Sequence, residues 1–356
     1  MQSKLFWLVV VLIVFGAIML SSAGVVEGQR RFNDPYYYVK HQLLYGVLPG
    51  AVLLFLLMKI DFKIWRKLAL PILAGALILM VLVFIPKFAV PLKGAKSWIN
   101  VFGYTFQPAE IMKLALVIYL AAWFGVKEDR VKNFAYGTLP FLVVIGFLAI
   151  LLYLQPDVGT LGLVIGIAAG MYFVAGAPIK HIAVLMLVMG VLFTGFIATS
   201  PYRLNRIKSF VNPSVDPRGI SYQLNQSLIA IGSGGLWGLG FGQSHQKQGF
   251  LPETIGDSIF AVISEELGLV GAVGTVGAFL TLAFFMVKIA QQTSDRFGRL
   301  YVIGIAMWVS AQAFINIAAL TGVAPLTGIP LPFISYGGTA LAALMASMGI
   351  VLNIAK

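Results

Sequence analysis

Apolar runs that are long enough, or nearly long enough, to cross a bilayer recur along the whole chain. About 20 apolar residues span the hydrocarbon core of a membrane, which is about 30 Å thick. Ten runs approach this length: 5–23, 42–58, 70–86, 108–125, 139–154, 158–175, 180–198, 260–288, 301–321 and 336–354. Only 11% of the 356 residues are charged, against about 25% in soluble globular proteins. The sequence therefore predicts an all-α polytopic membrane protein with about ten transmembrane helices.

The distribution of Lys and Arg predicts the orientation of these helices, because short cytoplasmic loops carry an excess of basic residues. With the N-terminus in the cytoplasm, thirteen basic residues fall in the inside segments and six in the short outside loops. We therefore expect both termini to be cytoplasmic and a large extracellular loop, residues 199–259, to lie between the seventh and eighth helices. No linker or internal repeat divides the chain, so residues 1–356 are expected to form a single membrane domain.

Composition also excludes several classes of function. The net charge of +12 is spread over short segments and forms no basic tract or basic helix face, so we expect no nucleic acid partner. The chain contains no cysteine, which excludes disulfides and thiolate metal sites. His245 has no second histidine at metal-ligand spacing, so no zinc site is expected.

The long loop 199–259 concentrates polar and glycine residues. Arg203, Arg206 and Lys208 leave the seventh helix together, and a short amphipathic helix is expected near residues 222–231. The glycine-dense run 232–242 follows, where backbone can approach a ligand closely. Basic side chains beside exposed amides suit a phosphate or pyrophosphate. The alternative, a basic flexible loop that contacts lipid headgroups, stays open at this point.

Four carboxylates lie at or inside the ends of apolar runs. Asp157 starts a run and is expected to cap a helix N-terminus. Asp257 ends the long loop next to the eighth helix, where it could cap that helix or take a proton from a substrate hydroxyl. Glu265 and Glu266 lie two to three turns deeper and cannot share one helix face. We expect each of them to pair with a donor inside the bundle.

Two further features stand out in and before the fourth run. Glu110 and Lys113 are three residues apart on one helix face, so they are expected to form an ion pair. This pair could fix helix packing or contact a substrate. Trp98 lies in an outward segment between two polar patches, where it could anchor that segment among lipid headgroups or contribute to a site.

Five sequence blocks occur in order through nearly the whole chain: GAKSWINVFGYTFQPAEIMKLALVIYLA, QPDVGTLGLV, YRLNRIKSFVNPSVDPRGISYQLNQSLIAIGSGGLWGLGFGQSHQK, FLPETIGDSIFAVISEELGLVG and TGVAPLTGIPLPFISYGGTALAALMASMGIVLNI. Together they resemble the SEDS proteins, a family of shape, elongation, division and sporulation proteins. The block from ISYQLNQSLIAIGSGG to GQSHQK resembles the division branch of that family more than the elongation branch.

The resemblance implies an inverting peptidoglycan glycosyltransferase that polymerises lipid II into glycan strands at the outer face of the bacterial cytoplasmic membrane. Its role is expected in cell division or in cell-shape maintenance, with the division septum as the expected location. The resemblance also implies undecaprenyl-pyrophosphate-linked glycan as substrate, a class B penicillin-binding protein (a transpeptidase) as partner, and contact with other divisome or elongasome proteins. A divalent cation, Mg²⁺ or Mn²⁺, is the only cofactor considered. A lipid II flippase and a non-catalytic division scaffold remain the alternative functions.

Site residues follow from the resemblance motif by motif. Asp257 matches the essential aspartate and is the expected general base. The residues expected to bind substrate are Arg203, Arg206, Glu110, Lys113, Trp98, Ser335, Gly337 and Gly338. The chain departs from the family pattern around the aspartate, where Ile255, Gly256 and Ser258 replace His-Thr and a phenylalanine. Ser97 stands where an arginine often precedes the tryptophan, and Thr105 replaces a basic residue found in some division members.

Overall fold

A computed structural model of the chain describes residues 1–92, 95–101, 104–126, 131–199, 201–214 and 216–356. Within these ranges helices dominate, and one small sheet is present. The helices are α1 (Gln2–Ala23), α2 (Val25–Phe32), α3 (Tyr37–Gln42), α4 (Leu48–Lys59), α5 (Lys63–Leu82), α6 (Pro108–Phe124), α7 (Leu139–Leu154), α8 (Val158–Val174), α9 (Ile179–Ala198), α10 (Pro201–Val211), α11 (Tyr222–Ser233), α12 (Ile259–Gln292), α13 (Arg296–Leu320) and α14 (Gly338–Ile354).

Each of the ten predicted apolar runs is helical. In the described part of the chain, seven helical stretches are long and apolar enough to cross a membrane: Gln2–Ala23, Tyr37–Lys59, Lys63–Leu82, Phe134–Leu154, Ile179–Ala198, Ile259–Gln292 and Arg296–Leu320. Helices α6, α8 and α14, the other three runs, have 17 residues each. The polytopic helical membrane fold is thus confirmed, while ten crossings and cytoplasmic termini stay predictions.

The third span is shifted from its predicted position. The apolar run was expected at 70–86, but α5 begins at Lys63 and ends at Leu82. Lys63, Arg66 and Lys67 belong to its first turns rather than to a loop. Long basic side chains can extend from the end of a helix toward the membrane surface, so a purely apolar window places the helix start too late.

The all-α expectation misses a small antiparallel sheet between α5 and α6. Its strands are β1 (Ala89–Leu92), β2 (Ala95–Val101) and β3 (Tyr104–Phe106), with β2 in the centre. Trp98 pairs with Val90, and Asn100 pairs with Thr105. The search for long apolar runs could not find it, because strands this short alternate their side chains between two faces.

The segment around Trp98, expected as a loop, is instead the central strand β2, while its position on the outer side of the membrane stays a prediction. Ser97 and Ile99 are buried on one face of β2, whereas Trp98 is half-buried on the other. Ser97 Oγ donates to the carbonyl of Gln155 at 3.3 Å, and the Gln155 side chain donates to the carbonyl of Met80 at 3.0 Å. The sheet is therefore fixed to α5 and to the turn between α7 and α8.

Helix α13 forms the centre of the bundle, where it packs against α6, α8 and α12. Trp308 and Tyr301 on α13 are fully buried. Gly304 permits a close approach, because a Cβ atom there would lie 2.6 Å from Val117 on α6 and 2.7 Å from Met171 on α8. Small residues allow membrane helices to approach in this way.

Helix α12 is broken at Gly268, which has a φ of +66°. Residues 235–240 of the long loop pair with the exposed backbone at the break: the amides of Leu239 and Gly240 donate to the carbonyls of Glu265 and Glu266 at 2.9 and 3.0 Å. A side chain at Gly268 would collide with the backbone of Gly238. Glycine is therefore required at Gly268 both by its conformation and by its contact.

A buried polar cluster ties α1 and the long loop to α12. Lys247 Nζ lies 2.7 Å from Glu266 Oε1 and donates to Ser22 Oγ at 2.7 Å. Ser22 Oγ also donates to Glu266 at 2.6 Å. The Glu265 carboxylate accepts from the Ser244 hydroxyl and from the amide of His245. The prediction that Glu265 and Glu266 pair inside the bundle is confirmed.

Two other local predictions are also confirmed. Asp157 caps α8, since its carboxylate accepts from the amide of Thr160 at 3.0 Å. The helix expected near residues 222–231 is α11, Tyr222–Ser233.

Breaking the Lys247–Glu266 pair from one side is expected to destabilise the protein. Glu266→Gln and Lys247→Met each leave one buried charge uncompensated, at a cost of roughly 3–5 kcal/mol. Each should lower the apparent melting temperature, measured by tryptophan fluorescence in detergent, by several degrees. The double variant Lys247→Met/Glu266→Gln should recover much of that loss, because neither charge remains.

The matched control is the exposed pair between Arg31 and Glu27, whose side chains are 58% and 27% exposed. Glu27→Gln should leave the melting temperature nearly unchanged, because surface pairs contribute about 0–1 kcal/mol. A double variant that loses as much as the two single variants together would contradict the assignment of a coupled buried pair.

Candidate functional site

Asp257 lies directly before α12, and its backbone is held from two sides. Asn316 Nδ2 on α13 donates to the Asp257 carbonyl at 2.7 Å and to the Ile329 carbonyl at 2.8 Å. The Ser335 hydroxyl donates to the carbonyl of Gly256 at 2.6 Å. These bonds join the aspartate to the central helix and to the segment before α14, so its position follows from the bundle rather than from the loop.

The carboxylate of Asp257 itself has few partners. Gln223 Nε2 on α11 lies 3.4 Å from Oδ2, whereas the buried Oδ1 has no hydrogen-bond partner among the described residues. Burial raises the pKa of Asp257 to about 6, and the charge of Glu253 adds to the effect. The Arg206 charge and the Gln223 hydrogen bond oppose the shift. The group is therefore ionised at neutral pH but holds its proton more tightly than an exposed aspartate.

Arg206 on α10 approaches the same carboxylate. A Cβ atom built on Gly328 would lie 3.7 Å from Arg206 Nη1 and 3.8 Å from Asp257 Oδ2. Arg206 Nη1 also donates to the carbonyl of Leu326 at 2.9 Å. The guanidinium and the carboxylate thus flank the backbone of Gly328, which places a cation and an anion at one locus.

Three oxygen atoms without partners among the described residues belong to side chains that line one cavity. They are Asp257 Oδ1, Asn316 Oδ1 and Thr327 Oγ1, and all three residues line one narrow cleft that has no room for a water molecule. Buried polar groups are normally hydrogen-bonded. If the cleft widened, a ligand that carries hydroxyl groups would satisfy the two acceptors and the Thr327 hydroxyl.

The contacts of Arg203 lie elsewhere. Its Nη1 donates to the carbonyl of Phe196 at 2.8 Å and to Thr199 Oγ1 at 3.3 Å. Its guanidinium stacks 3.5 Å from the centroid of the Phe196 ring. A cation at the C-terminal end of α9 interacts favourably with the helix dipole. These contacts stabilise the end of α9, and the expected phosphate role of Arg203 stays a prediction.

The predicted Glu110–Lys113 pair is confirmed and is buried. The two charged atoms are 2.8 Å apart, with side chains that are 4% and 1% exposed. Lys113 Nζ also donates to Gln312 Oε1 at 2.9 Å and lies 5.1 Å from the Trp308 ring. Gln312 in turn donates to the carbonyl of Pro330. The pair is thereby linked to the segment that borders the Asp257 cavity, and direct contact with substrate stays a prediction.

The expected ligands Ser335, Gly337 and Gly338 position the start of α14. Ser335 Oγ accepts from the amide of Leu331 at 2.8 Å in addition to its bond to Gly256. The amide of Gly337 donates to Gln42 Oε1 at 2.9 Å. A Cβ atom on Gly338 would lie 2.9 Å from the Tyr45 carbonyl. Their contacts are structural, and substrate binding by these residues, as by Trp98, stays a prediction.

Sequence reasoning missed three residues around Asp257, which are Gln223, Asn316 and Thr327, and it missed Gln312 beside the Glu110–Lys113 pair. A signal for two of them was present, since Gln312 and Asn316 are four residues apart in an apolar helix. Polar side chains inside membrane spans face the bundle interior and commonly mark function. Gln223 and Thr327 lie in polar segments where composition does not distinguish them from their neighbours.

The described residues contain no group of three or more His, Cys, Asp or Glu side chains placed to hold a metal ion. They therefore offer no site built from such a group for the expected divalent cation. Mg²⁺ commonly binds through one or two carboxylates together with substrate phosphates. The cation therefore stays a prediction, and no chemical step is assigned to it.

Comparison with known proteins gives similarity over the full length of the chain. The profile of a family described as "Cell cycle protein", which groups FtsW, RodA and SpoVE, matches residues 3–356. Stage V sporulation protein E of Bacillus subtilis is 38% identical over 97% of this chain and 94% of its own length. The probable peptidoglycan glycosyltransferase FtsW of Trichlorobacter lovleyi is 40% identical over 98% of this chain and 91% of its own length.

Solved structures agree with the sequence comparison. The rod shape determining protein RodA of Thermus thermophilus superposes with a TM-score of 0.73 at 26% identity, over 99% of this chain and 95% of RodA. A chain of a peptidoglycan synthase complex, whose study concerns coordination of polymerization and crosslinking, gives a TM-score of 0.80 at 26% identity, over 99% of this chain and 96% of its own. The chain therefore belongs to the FtsW/RodA/SpoVE family of cell cycle proteins.

Proposed function

We propose that the chain is a peptidoglycan glycosyltransferase that polymerises lipid II at the outer face of the cytoplasmic membrane. Relatives along its full length carry the name peptidoglycan glycosyltransferase. The observation that carries the proposal is Asp257, a partly buried carboxylate with an unpartnered oxygen beside Arg206. A general base and a cation at one locus are what transfer from a pyrophosphate-linked sugar to a hydroxyl requires.

In the proposed reaction, the 4-hydroxyl oxygen of a GlcNAc residue of lipid II attacks the anomeric carbon of the growing strand. The new bond joins that oxygen to the anomeric carbon while the bond from this carbon to undecaprenyl pyrophosphate breaks, with inversion at the carbon. The hydroxyl proton passes to Asp257, and the pyrophosphate leaves with the bonding electrons. A base with a pKa of about 6 is ionised at neutral pH and still accepts a proton readily.

Arg206 is the proposed contact for the leaving pyrophosphate. Negative charge on that group grows as the glycosidic bond breaks, so a fixed cation stabilises the transition state more than the ground state. A planar guanidinium also matches two phosphate oxygens at once. Both substrates are anchored in one bilayer by their lipid tails, which reduces the entropy lost when donor and acceptor meet.

The cavity beside Asp257 is narrower than a sugar site. It leaves no room for a water molecule, whereas typical ligand pockets have volumes of roughly 300–1,000 Å³. The segment 326–329 forms much of its wall and follows Gly322, which has a φ of +75°. We propose that this segment moves outward when the acceptor sugar binds, which gives its hydroxyl access to Asp257.

The proposed partner is a class B penicillin-binding transpeptidase, which would crosslink the new strands. Support comes from the similar chain in a peptidoglycan synthase complex in which polymerization and crosslinking are coordinated. Relatives named FtsW favour a role in cell division at the septum, within the bacterial inner membrane. A cell-shape role remains the alternative, because RodA has the same fold.

Asp257→Asn is expected to abolish polymerisation while the protein stays folded. Loss of a general base lowers rates by about 10²–10⁴-fold, measured as glycan strands formed from lipid II by the purified protein with its transpeptidase. The buried carboxylate has a raised pKa and is therefore unfavourable when ionised, so its loss should not lower the melting temperature at neutral pH.

The matched control is Asp216→Asn, an exposed aspartate in the same loop, which should keep full activity. If wild-type protein moved lipid II between leaflets but made no polymer, the flippase alternative would replace the proposal. If Asp257→Asn supported normal division in cells, the scaffold alternative would gain support.

Polymerisation should depend on pH with an acid limb near 6. Asp257 accepts a proton only when ionised, so kcat/KM should fall by about tenfold per pH unit below its pKa and level off above it. Because the pKa of Asp257 is raised to about 6 rather than lowered, the fall begins in the mildly acidic range. A limb near pH 4, typical of an exposed carboxylate, would contradict the buried-base assignment.

Arg206→Gln is expected to lower kcat by about 10²–10³-fold, as for loss of one oxyanion contact, with a smaller effect on KM. Lys208→Gln is the matched control: Lys208 is exposed on the same helix and carries the same charge, so its loss should change kcat little. Equal losses in the two variants would indicate a general electrostatic attraction of substrate rather than a specific contact at the leaving group.

A further inference from the structure

The segment Gly234–Phe241, here called the glycine–tryptophan segment, exposes large apolar side chains although it belongs to an extracytoplasmic loop. Trp237 is 80% exposed and Leu236 is 63% exposed, and Leu239 and Phe241 are also exposed. No Asp, Glu, Lys or Arg occurs in residues 219–246. A surface of this kind is unusual in water and marks contact with a membrane or a protein.

The backbone of this segment is suited to an apolar environment because much of it is hydrogen-bonded. The amides of Leu239 and Gly240 donate to α12 carbonyls on one side of the break at Gly268. On the other side, the amides of Leu269 and Val270 donate to the carbonyls of Gly235 and Leu236 at 2.9 and 3.3 Å. Non-helical backbone is tolerated at membrane depth only when its polar groups are satisfied in this way.

The exposure of α12 changes at the same break. Residues 259–266 are all buried in the protein. Beyond Gly268 one face of α12 is exposed and apolar: Leu269, Val270, Val273, Leu280, Phe284 and Val287. Lys288 follows them. Residues 269–288 extend about 30 Å at about 1.5 Å per residue, which equals the thickness of the hydrocarbon core. The outer edge of that core therefore lies at Gly268.

From this geometry we propose that the glycine–tryptophan segment inserts into the outer leaflet, at the boundary between acyl chains and lipid headgroups. Its backbone pairs with Leu269 and Val270, the outermost lipid-facing residues of α12, so its apolar side chains continue the lipid-facing surface. A tryptophan with an exposed ring is suited to that boundary, because the indole is apolar and carries one polar N–H. The occupant of this surface is lipid rather than another protein.

This anchor places the candidate site on the outer side of the break. Ile259 precedes Gly268 by nine positions, and the kink at Gly268 separates the start of α12 from its exposed apolar part. Asp257, two residues before Ile259, therefore lies on the headgroup side of the anchored segment.

The absence of cysteine from the chain allows a direct test with single labels. Trp237→Cys, carrying an environment-sensitive fluorophore, is reconstituted as the full chain in liposomes without partner proteins. Val273→Cys provides the lipid-facing reference. Gln248→Cys, at an exposed polar residue of the same loop, provides the aqueous reference. Quenching is measured with iodide in water and with lipids that carry a nitroxide high or low on the acyl chain.

The label at position 237 should have blue-shifted emission, resist iodide and lose more fluorescence to the high nitroxide than to the low one. The label at position 248 should be quenched by iodide alone. Iodide quenching at 237 equal to that at 248 would overturn the proposal, as would protection that appears only when a transpeptidase is added. Leu236→Cys serves as a second site if Trp237→Cys lowers the melting temperature. The readout does not depend on polymerisation, so it is independent of the proposed activity.

Discussion

The cost of burying charge in a low-dielectric interior determines how this bundle is organised. A lone buried charge is strongly unfavourable, and a buried pair survives only when its remaining hydrogen-bonding groups are largely satisfied. Glu110 with Lys113, and Glu266 with Lys247, meet this requirement through direct ion pairs and through Gln312 and Ser22. Glu110, Glu266 and Asp257 each keep one carboxylate oxygen without a hydrogen-bond partner among the described residues. The other oxygen of each glutamate lies within 2.8 Å of a lysine, whereas that of Asp257 accepts from the Gln223 amide at 3.4 Å. Burial also raises the pKa of Asp257, and a carboxylate with a raised pKa beside a cleft is typical of a reactive position.

The surroundings hold the Asp257 backbone firmly and leave its carboxylate largely unpaired. Asn316 and Ser335 bond the carbonyls of Asp257 and Gly256, and neither donates to the carboxylate. Position and reactivity are thus controlled by different atoms. The same division of roles applies to Ser335, in the sequence ISYGG at residues 334–338. Its contacts are structural, and its hydroxyl fixes the turn that carries the aspartate. A substitution there would act through placement rather than through proton transfer.

Apolar periodicity and charge spacing were sufficient to predict the helices, the Glu110–Lys113 pair and the Asp157 cap, because each depends on residues close in sequence. The small sheet was missed, since its strands are too short to give a periodic signal. The Asp257 locus could be predicted only in part: its aspartate follows from a motif, but Gln223, Asn316 and Thr327 reach it from three distant segments. Arg203 and Arg206 look equivalent in sequence, and only the three-dimensional positions of Phe196 and Gly328 separate them.

The break in α12 connects these observations to the membrane. Before Gly268 the helix is a buried element that carries the site, and after it one face of the helix is exposed and apolar. We infer that Gly268 marks the point at which the surroundings of α12 change from protein and water to hydrocarbon. A substrate held by a lipid tail has its pyrophosphate at the headgroup layer and its sugars above it. A polymerase for such a substrate needs its base on the outer side of the bilayer, and the proposed anchor at the break would hold the start of α12, and Asp257 with it, on that side.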